Sequence, residues 1–170
     1  RIMVVGIPNT GKSSFINKMA GKNRAKVADK PGVTRQNQWF AIGDGMELLD
    51  TPGVLWPKFE DPAVGDKLAF IGSVKNEVFD PETLVLRLID VLASDYKTQF
   101  SQRYKLEKFD ISQMENYEIL ELVGRKRGML ISGGEIDTLR AANMILDEYK
   151  SGKFGKLTLE RPVLKENEGE

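Results

Sequence analysis

Short apolar runs and helical stripes alternate along the first half of the chain. Residues 2–5 form an apolar run that ends at Gly6, which is typical of a buried parallel strand. Residues 13–20 have a helical pattern, and residues 22–37 are polar and predict a loop. Apolar runs at 39–42 and 46–49 flank Gly43-Asp44-Gly45 and therefore predict an antiparallel hairpin. Residues 50–60 contain Pro52, Gly53 and Pro57 and predict a loop.

The second half has a helical period. Asp80-Pro81 predicts a helix start, because Asp caps well and Pro suits the first helical position. Two amphipathic helices are expected at about 112–124 and 135–149. The apolar face predicted for the last one consists of Ile136, Leu139, Ala142, Leu146 and Tyr149. A boundary near residues 105–111 divides the chain into segments 1–107 and 108–170.

Composition narrows the possible chemistry. The 170 residues are 41% hydrophobic with zero net charge, which is ordinary for a folded protein. There is no Cys and no His, so disulfides, thiolates and a histidine base are excluded from this chain. No apolar run is long enough for a membrane span, and we expect a cytoplasmic protein. Its chemistry must use Lys, Asp, hydroxyls and backbone amides.

Residues 6–13 (GIPNTGKS) match the phosphate-binding P-loop pattern G-x-x-x-x-G-K-[ST]. The predicted strand before them and the helix after them supply the required context, because amides at the helix N-terminus cradle phosphate oxygens. Lys12 is predicted to reach the terminal phosphates, and Ser13 to offer its hydroxyl to Mg²⁺. The predicted nucleotide-binding residues in and beside the loop are Pro8, Asn9, Thr10, Gly11, Lys12, Ser13 and Ser14.

A second element, D-x-x-G, follows the hairpin. Asp50 ends an apolar strand, where its carboxylate is expected to hold Mg²⁺ through water, and Gly53 can offer its N–H to a terminal phosphate. Thr34 lies between the two motifs and is predicted to join the Mg²⁺ shell only when a third phosphate is present. Ser13, Thr34 and Asp50 are thus the predicted magnesium residues, and Lys12, Thr34 and Gly53 would stabilise phosphate charge.

This order of P-loop, loop Thr, hairpin and D-x-x-G resembles the front half of a translation-factor-class GTPase. Further segments resemble the bacterial ribosome biogenesis GTPase A family, whose G domain is circularly permuted. They are residues 31–34 (PGVT), 48–58 (LLDTPGVLWPK), 124–128 (GRKRG), 132–134 (SGG) and 153–157 (KFGKL), and the resemblance extends to about residue 162.

The resemblance implies an α/β P-loop G domain, partial here, followed by a small and mainly α-helical C-terminal domain that contacts rRNA. It also implies a GTP-binding and GTP-hydrolysing switch, with GTP or GDP and Mg²⁺ as ligands, that acts in late assembly of the large (50S) ribosomal subunit. The expected partners are the large-subunit precursor and its rRNA, with no membrane and no DNA.

One family motif is missing from this chain. No N/T-K-x-D guanine-reading motif follows Gly53, so the base-reading strand is either absent or encoded upstream of Arg1. The resemblance to a circularly permuted family implies the upstream position, and we therefore expect this chain to be the C-terminal part of a longer protein. Val54 stands where many GTPases have a water-orienting Gln and cannot form hydrogen bonds through its side chain, so hydrolysis must use another group, the substrate's own phosphate, an ion or a partner. The catalytic group is unknown from this chain, and the resemblance implies that it lies upstream. Turnover is therefore expected to be slow alone and stimulated by the ribosomal particle and K⁺.

Several residues have two interpretations. Asn9 resembles the asparagine that helps to hold K⁺ in potassium-activated GTPases, but Asn is also common in turns. Trp39 and Phe40 favour core packing over base stacking, and the apolar run 54–57 favours packing over a nucleotide-gated contact. Basic residues that would contact RNA or simply complement a helix end and solvent are Arg125, Lys126, Arg127, Lys150, Lys153 and Lys156.

Two other functions remain open from the sequence. A metabolic P-loop enzyme that uses ATP would show an Arg-bearing lid and an acceptor pocket, neither of which is evident. A nucleotide-independent rRNA-binding module would bind with a steep salt dependence and no response to nucleotide.

Overall fold

A three-stranded sheet occupies the N-terminal part of the protein. The computed structural model describes residues 1–21, 33–74 and 78–160. The strands are β1 (Ile2–Val4), β2 (Gln38–Gly43) and β3 (Met46–Asp50), in the order β1-β3-β2. β1 is parallel to β3, and β2 is antiparallel to it, which confirms the predicted hairpin. Part of the predicted loop 22–37, namely residues 22–32, lies outside the described residues, as does the tail from 161.

The hairpin turn and the small core beneath it follow from the sequence. Asp44 and Gly45 both have positive φ (48° and 71°), which suits the tight turn. Phe40 and Leu48 pack with Ile16 of helix α1 (Lys12–Met19). Trp39 is 49% exposed, so the core role predicted for it is wrong. The reason is strand alternation, which turns Trp39 away from Phe40, and its ring lies 5.1 Å from the Arg1 guanidinium instead.

Five further α-helices follow the sheet within residues 33–74 and 78–160. They are α2 (Pro62–Phe70), α3 (Pro81–Asp95), α4 (Lys97–Tyr104), α5 (Asn116–Lys126) and α6 (Thr138–Lys150). The predicted start of α3 is confirmed, because the Asp80 side chain accepts a hydrogen bond from the Thr83 amide at 2.8 Å. Helices α2 and α4 were not predicted from the sequence, although Asp61-Pro62 caps α2 in the same way.

Helices α2 to α6 share one hydrophobic core. Buried side chains run from Ala69 in α2 to Phe154 after α6, and helices on both sides of residue 107 contribute to it. The division into 1–107 and 108–170 stays a prediction. α5 begins at Asn116 rather than near 112, because a capping box between Glu115 and Glu118 sets its start after a 3₁₀ turn, Ile111–Gln113.

Two exposed apolar groups differ from expectation. Leu139 is 49% exposed because the buried stripe of α6 consists of Ala141, Ala142, Ile145 and Leu146, and Leu139 lies to one side of it. Val54 and Trp56 are also exposed, so the packing predicted for the run 54–57 is wrong at these two residues. Leu55 between them is half-buried.

We expect Leu88→Ala to lower the free energy of unfolding by about 2–5 kcal/mol, because it empties a fully buried site on α3. The matched control is Leu139→Ala on α6, where the exposed side chain predicts a change within about 0.5 kcal/mol. Urea unfolding of both variants measures this, and equal losses would contradict the packing described here.

Candidate nucleotide-binding site

Two parallel strands bring the P-loop and D-x-x-G together. β1 pairs with β3 so that Val4 lies opposite Asp50, and each motif begins at or just after that pair. The carboxyl ends of parallel strands meet at one edge of a sheet, which is where ligands bind in open α/β folds. The Thr51 hydroxyl donates to the Val4 carbonyl at 2.7 Å and ties the two chain segments together beyond the strands.

The loop has the conformation that the motif requires. Gly11 is in the left-handed region with φ 81° and serves as the N-cap of α1, where a Cβ would be strained. Asn9 also has positive φ, at 58°, which is the turn conformation that Asn tolerates. The Thr10 hydroxyl donates to the Ile7 carbonyl at 2.9 Å and closes the loop on itself. Amides of the loop and the first turn of α1 are therefore available for an anion.

Lys12 lies folded over the loop. Its Nζ donates to the carbonyl of Ile7, near the start of the P-loop, at 2.7 Å. Burial lowers the pKa of the Lys12 ammonium from its usual value, and the Asp50 carboxylate opposes that shift. A phosphate would offer this cation a stronger partner than a neutral carbonyl.

The three predicted magnesium residues lie together. The Ser13 hydroxyl donates to Asp50 Oδ2 at 2.7 Å and is 3.1 Å from the Thr34 hydroxyl oxygen. Thr34 itself donates to Asp50 Oδ2 at 3.4 Å. Three residues from α1, the loop before β2 and the end of β3 thus converge on one point, although their roles as metal ligands stay predictions.

The chemistry of this cluster fits Mg²⁺. Asp50 is only 2% exposed, and its Oδ1 has no hydrogen-bond partner among the residues that the structure describes. A buried, unpaired carboxylate oxygen is costly unless a cation or water satisfies it. Within the same residues, Asp, Glu, His and Cys form no cluster of three or more that would hold a metal alone. Mg²⁺ here would depend on hydroxyls, water and phosphate oxygens, as it commonly does.

Gly53 lies directly against the P-loop backbone. A Cβ built at Gly53 would be 2.4 Å from both the Cα and the nitrogen of Pro8, so no side chain fits there. The contact fixes the D-x-x-G segment beside the phosphate loop. The predicted role of the Gly53 amide toward a terminal phosphate is compatible with this position and remains a prediction.

Residues after α2 hold the far part of the loop, and the sequence did not predict them. The Ser73 hydroxyl donates to the Pro8 carbonyl at 2.6 Å, and Asn9 Nδ2 donates to the Ile71 carbonyl at 3.5 Å. Ser73 and Ile71 follow α2 and carry no motif, so no local pattern could have indicated them. Ser14, one of the predicted nucleotide-binding residues, lies in the first turn of α1 directly after the loop and is exposed.

The predicted RNA residues divide into two groups. Arg127 at the end of α5 has its guanidinium 5.1 Å from the Tyr104 ring centre and 3.6 Å from Glu148. Burial opposes ionisation of Glu148, but hydrogen bonds from Arg103 and Tyr104 outweigh it and lower the pKa of that carboxyl. Lys126 lies 4.9 Å from the Phe109 ring centre. The remaining members of the set, all exposed, are Arg125, Lys150, Lys153 and Lys156.

No helix in residues 1–21, 33–74 and 78–160 is long and apolar enough to cross a membrane.

Known proteins are similar to this chain in sequence. A protein described as ribosome biogenesis GTPase A from Bacillus cereus is 42% identical over 162 residues, which cover 95% of this chain and 54% of that protein. The protein of the same description from Thermotoga maritima is 34% identical over 162 residues, with 95% and 56% covered. The chain therefore spans about half the length of the curated relatives it matches.

Solved structures agree with these relatives. The structure of GDP-bound TM YlqF is 32% identical, with a TM-score of 0.64, and the match covers 95% of this chain and 60% of that one. GNP-bound YlqF from T. maritima is 31% identical, with a TM-score of 0.59, and 90% and 55% are covered. The predicted fold class, a partial P-loop G domain followed by a mainly helical part, is confirmed.

A sequence model of a protein family also matches this chain. The model described as 50S ribosome-binding GTPase matches residues 1–126, which include the P-loop, Thr34 and D-x-x-G. The resemblance found in the sequence to ribosome biogenesis GTPase A is likewise confirmed by the relatives of that description. The chain belongs to the 50S ribosome-binding GTPase family.

Proposed function

We propose that this chain binds GTP and GDP with Mg²⁺, hydrolyses GTP, and uses this cycle as a switch in late assembly of the large (50S) ribosomal subunit in the cytoplasm. The observation that carries the proposal is the convergence of Ser13, Thr34 and Asp50 beside the P-loop, with one carboxylate oxygen left unpaired among the described residues. Relatives described as ribosome biogenesis GTPase A support the cellular role.

Phosphate binding would proceed through the loop and its lysine. Backbone amides of residues 9–14 would bind the β-phosphate, and Lys12 would exchange the Ile7 carbonyl for phosphate oxygens. Mg²⁺, when bound, would neutralise charge that builds on the phosphate oxygens. The Ser13 hydroxyl and the Asp50 carboxylate would hold it, directly and through water.

Thr34 would make the site sensitive to the third phosphate. Its hydroxyl already lies 3.1 Å from that of Ser13, while Thr34 itself lies outside the small core that Ile16, Phe40 and Leu48 form. Joining the metal shell in the triphosphate state would order this loop, and hydrolysis would release it. The Gly53 amide, in the D-x-x-G segment, would donate a hydrogen bond to the same phosphate.

Hydrolysis would need a group other than Val54, which is exposed and has no polar side-chain atom to orient water. We propose that turnover is slow alone and is stimulated by the ribosomal particle and by K⁺ near Asn9. K⁺ there would stabilise developing charge as an arginine finger does elsewhere.

The ribosomal contact would be made by the part after residue 107. Arg125, Lys126, Lys150, Lys153 and Lys156 are exposed and have charge to offer to rRNA phosphates. Arg127 is expected to contribute less, because Glu148 and Tyr104 already engage it. An rRNA-binding module that ignores nucleotide would show the same salt dependence without any response to GTP, and an ATP-using enzyme would prefer adenine nucleotides.

We expect Lys12→Ala to weaken GDP binding by about 10- to 100-fold, because it removes a charge-assisted hydrogen bond to phosphate. Lys18→Ala is the matched control, since Lys18 is exposed on the last turn of the same helix. Fluorescent GDP titration of the full-length protein measures both, and unchanged affinity of Lys12→Ala would remove the P-loop assignment.

Asp50→Asn should weaken the magnesium dependence of GTP-analogue binding. The amide still accepts from Ser13 but lacks the charge that holds the cation, so we expect about a 10- to 100-fold loss of Mg²⁺ affinity. Asp44→Asn in the exposed hairpin turn serves as the control. Titrations with Mg²⁺ and with EDTA give the ratio of affinities. A ratio equal to that of the unaltered protein would place the metal elsewhere.

Replacing Arg125 and Lys126 by Gln should weaken ribosome binding and lower its salt dependence by about one unit of log–log slope for each rRNA phosphate that is no longer neutralised. GDP affinity should stay constant, because both residues lie on α5. Adding Arg127→Gln should mainly lower stability, since its contacts are internal. The double variant Lys18→Gln with Lys105→Gln is the charge-matched control. If the salt dependence were unaltered when Arg125 and Lys126 are replaced, these residues would only complement the C-terminal dipole of α5.

A further inference from the structure

The far side of the P-loop is held by a turn that belongs to the helical core. The Ser73 hydroxyl donates to the Pro8 carbonyl at 2.6 Å, and Ser73 is only 1% exposed. The Pro8 carbonyl lies in the middle of the loop, between Gly6 and Gly11. A buried hydrogen bond of this kind restricts the orientation of the Pro8–Asn9 peptide, whose neighbouring amides would face a phosphate.

Gly72 brings the turn close to the same loop. Gly72 is buried with φ +72°, and a Cβ built there would lie 2.9 Å from Asn9 Nδ2 and 3.5 Å from Lys150 Cε. The Asn9 side chain in turn donates to the Ile71 carbonyl at 3.5 Å. Two successive loop residues, Pro8 and Asn9, are therefore hydrogen-bonded by Ser73 and Ile71, and Gly72 between them leaves room for the Asn9 side chain.

The turn is fixed to α2 rather than to the sheet. The Gly72 amide donates to the Ala69 carbonyl at 2.9 Å, and the Ser73 amide donates to the Leu68 carbonyl at 2.8 Å. Ala69 and Phe70 are buried in the core that α3, α5 and α6 share. A displacement of the C-terminus of α2 would therefore move the partners of Pro8 and Asn9.

We propose that the turn 71–73 positions the P-loop and couples phosphate binding to the helical core. This inference rests on the proposed nucleotide binding. A loop that is already ordered binds phosphate without first losing conformational freedom, so the turn raises affinity by preorganisation. By linkage, a bound nucleotide stabilises the turn to the same extent that the turn favours nucleotide.

The experiment compares nucleotide affinity with local exchange in the full-length protein. GDP affinity is measured for Ser73→Ala and Gly72→Ala, and amide hydrogen exchange of residues 68–74 is followed with and without GDP. Ser73→Ala should bind GDP about 5-fold more weakly, which corresponds to one lost buried hydrogen bond. Gly72→Ala should lose more than about 10-fold, because its methyl group displaces Asn9 as well as straining the backbone.

Gly152→Ala is the matched control. Gly152 has φ +71°, nearly that of Gly72, but a Cβ there would meet nothing within 4 Å. The backbone strain is thus the same and the clash with the P-loop is absent, so we expect GDP affinity within about 2-fold of the unaltered protein. Thermal unfolding without nucleotide shows how much each glycine variant loses in stability alone.

Hydrogen exchange separates positioning from simple support. In the unaltered protein GDP should slow exchange at residues 68–74, and Ser73→Ala should reduce that protection by about the same factor as the affinity. A purely structural role would speed exchange equally with and without GDP. If GDP binding left the exchange rates of residues 68–74 unchanged in the unaltered protein, the inference would be overturned. It would also be overturned if Ser73→Ala bound GDP as tightly as the unaltered protein. Failure of the unaltered protein to bind GDP at all would instead refute the proposed function.

Discussion

The pairing of β1 with β3 is the constraint on which the site depends. Because the two strands are parallel and Val4 lies opposite Asp50, the P-loop and D-x-x-G leave the sheet at the same edge. A register shift of one residue would turn Asp50 to the other face and separate its carboxylate from Ser13. The 2.7 Å hydrogen bond between them, and the unpaired Oδ1 beside it among the described residues, both follow from that register.

The P-loop is also bound by parts of the chain that a minimal strand–loop–helix unit does not contain. Gly53 lies against Pro8 from the D-x-x-G segment, and the turn after α2 binds Pro8 and Asn9. The P-loop thus contacts the D-x-x-G segment, which would respond to the third phosphate, and the turn after α2, which is part of the helical core. This arrangement gives a physical route by which nucleotide state would reach the helical core.

Local patterns predicted most of what is local. The P-loop residues, the hairpin and the capped start of α3 depend on neighbours a few positions away, and the sequence indicated each of them. The convergence of Thr34 with Ser13 and Asp50 was also predictable, because motif order and strand ends constrain it. Ser73 was not, since a single buried hydroxyl that meets a carbonyl distant in sequence leaves no periodic or compositional signal.

Tertiary context explains the predictions that were wrong. Leu139 fits an apolar face by spacing but lies beside the buried stripe, because packing against neighbouring helices selects Ala141, Ala142, Ile145 and Leu146. Trp39, Val54 and Trp56 are apolar and were expected to pack, yet they are exposed in the described structure. Apolar character favours burial of such side chains, but it does not predict whether another part of the fold packs against them.

The most direct test is calorimetric titration of the full-length protein with a non-hydrolysable GTP analogue and with its ATP counterpart, each with Mg²⁺ and with EDTA. The account predicts binding of the guanine analogue that is strengthened by Mg²⁺, and much weaker binding of the adenine analogue. Binding of neither analogue, or equal binding with and without Mg²⁺, would contradict it.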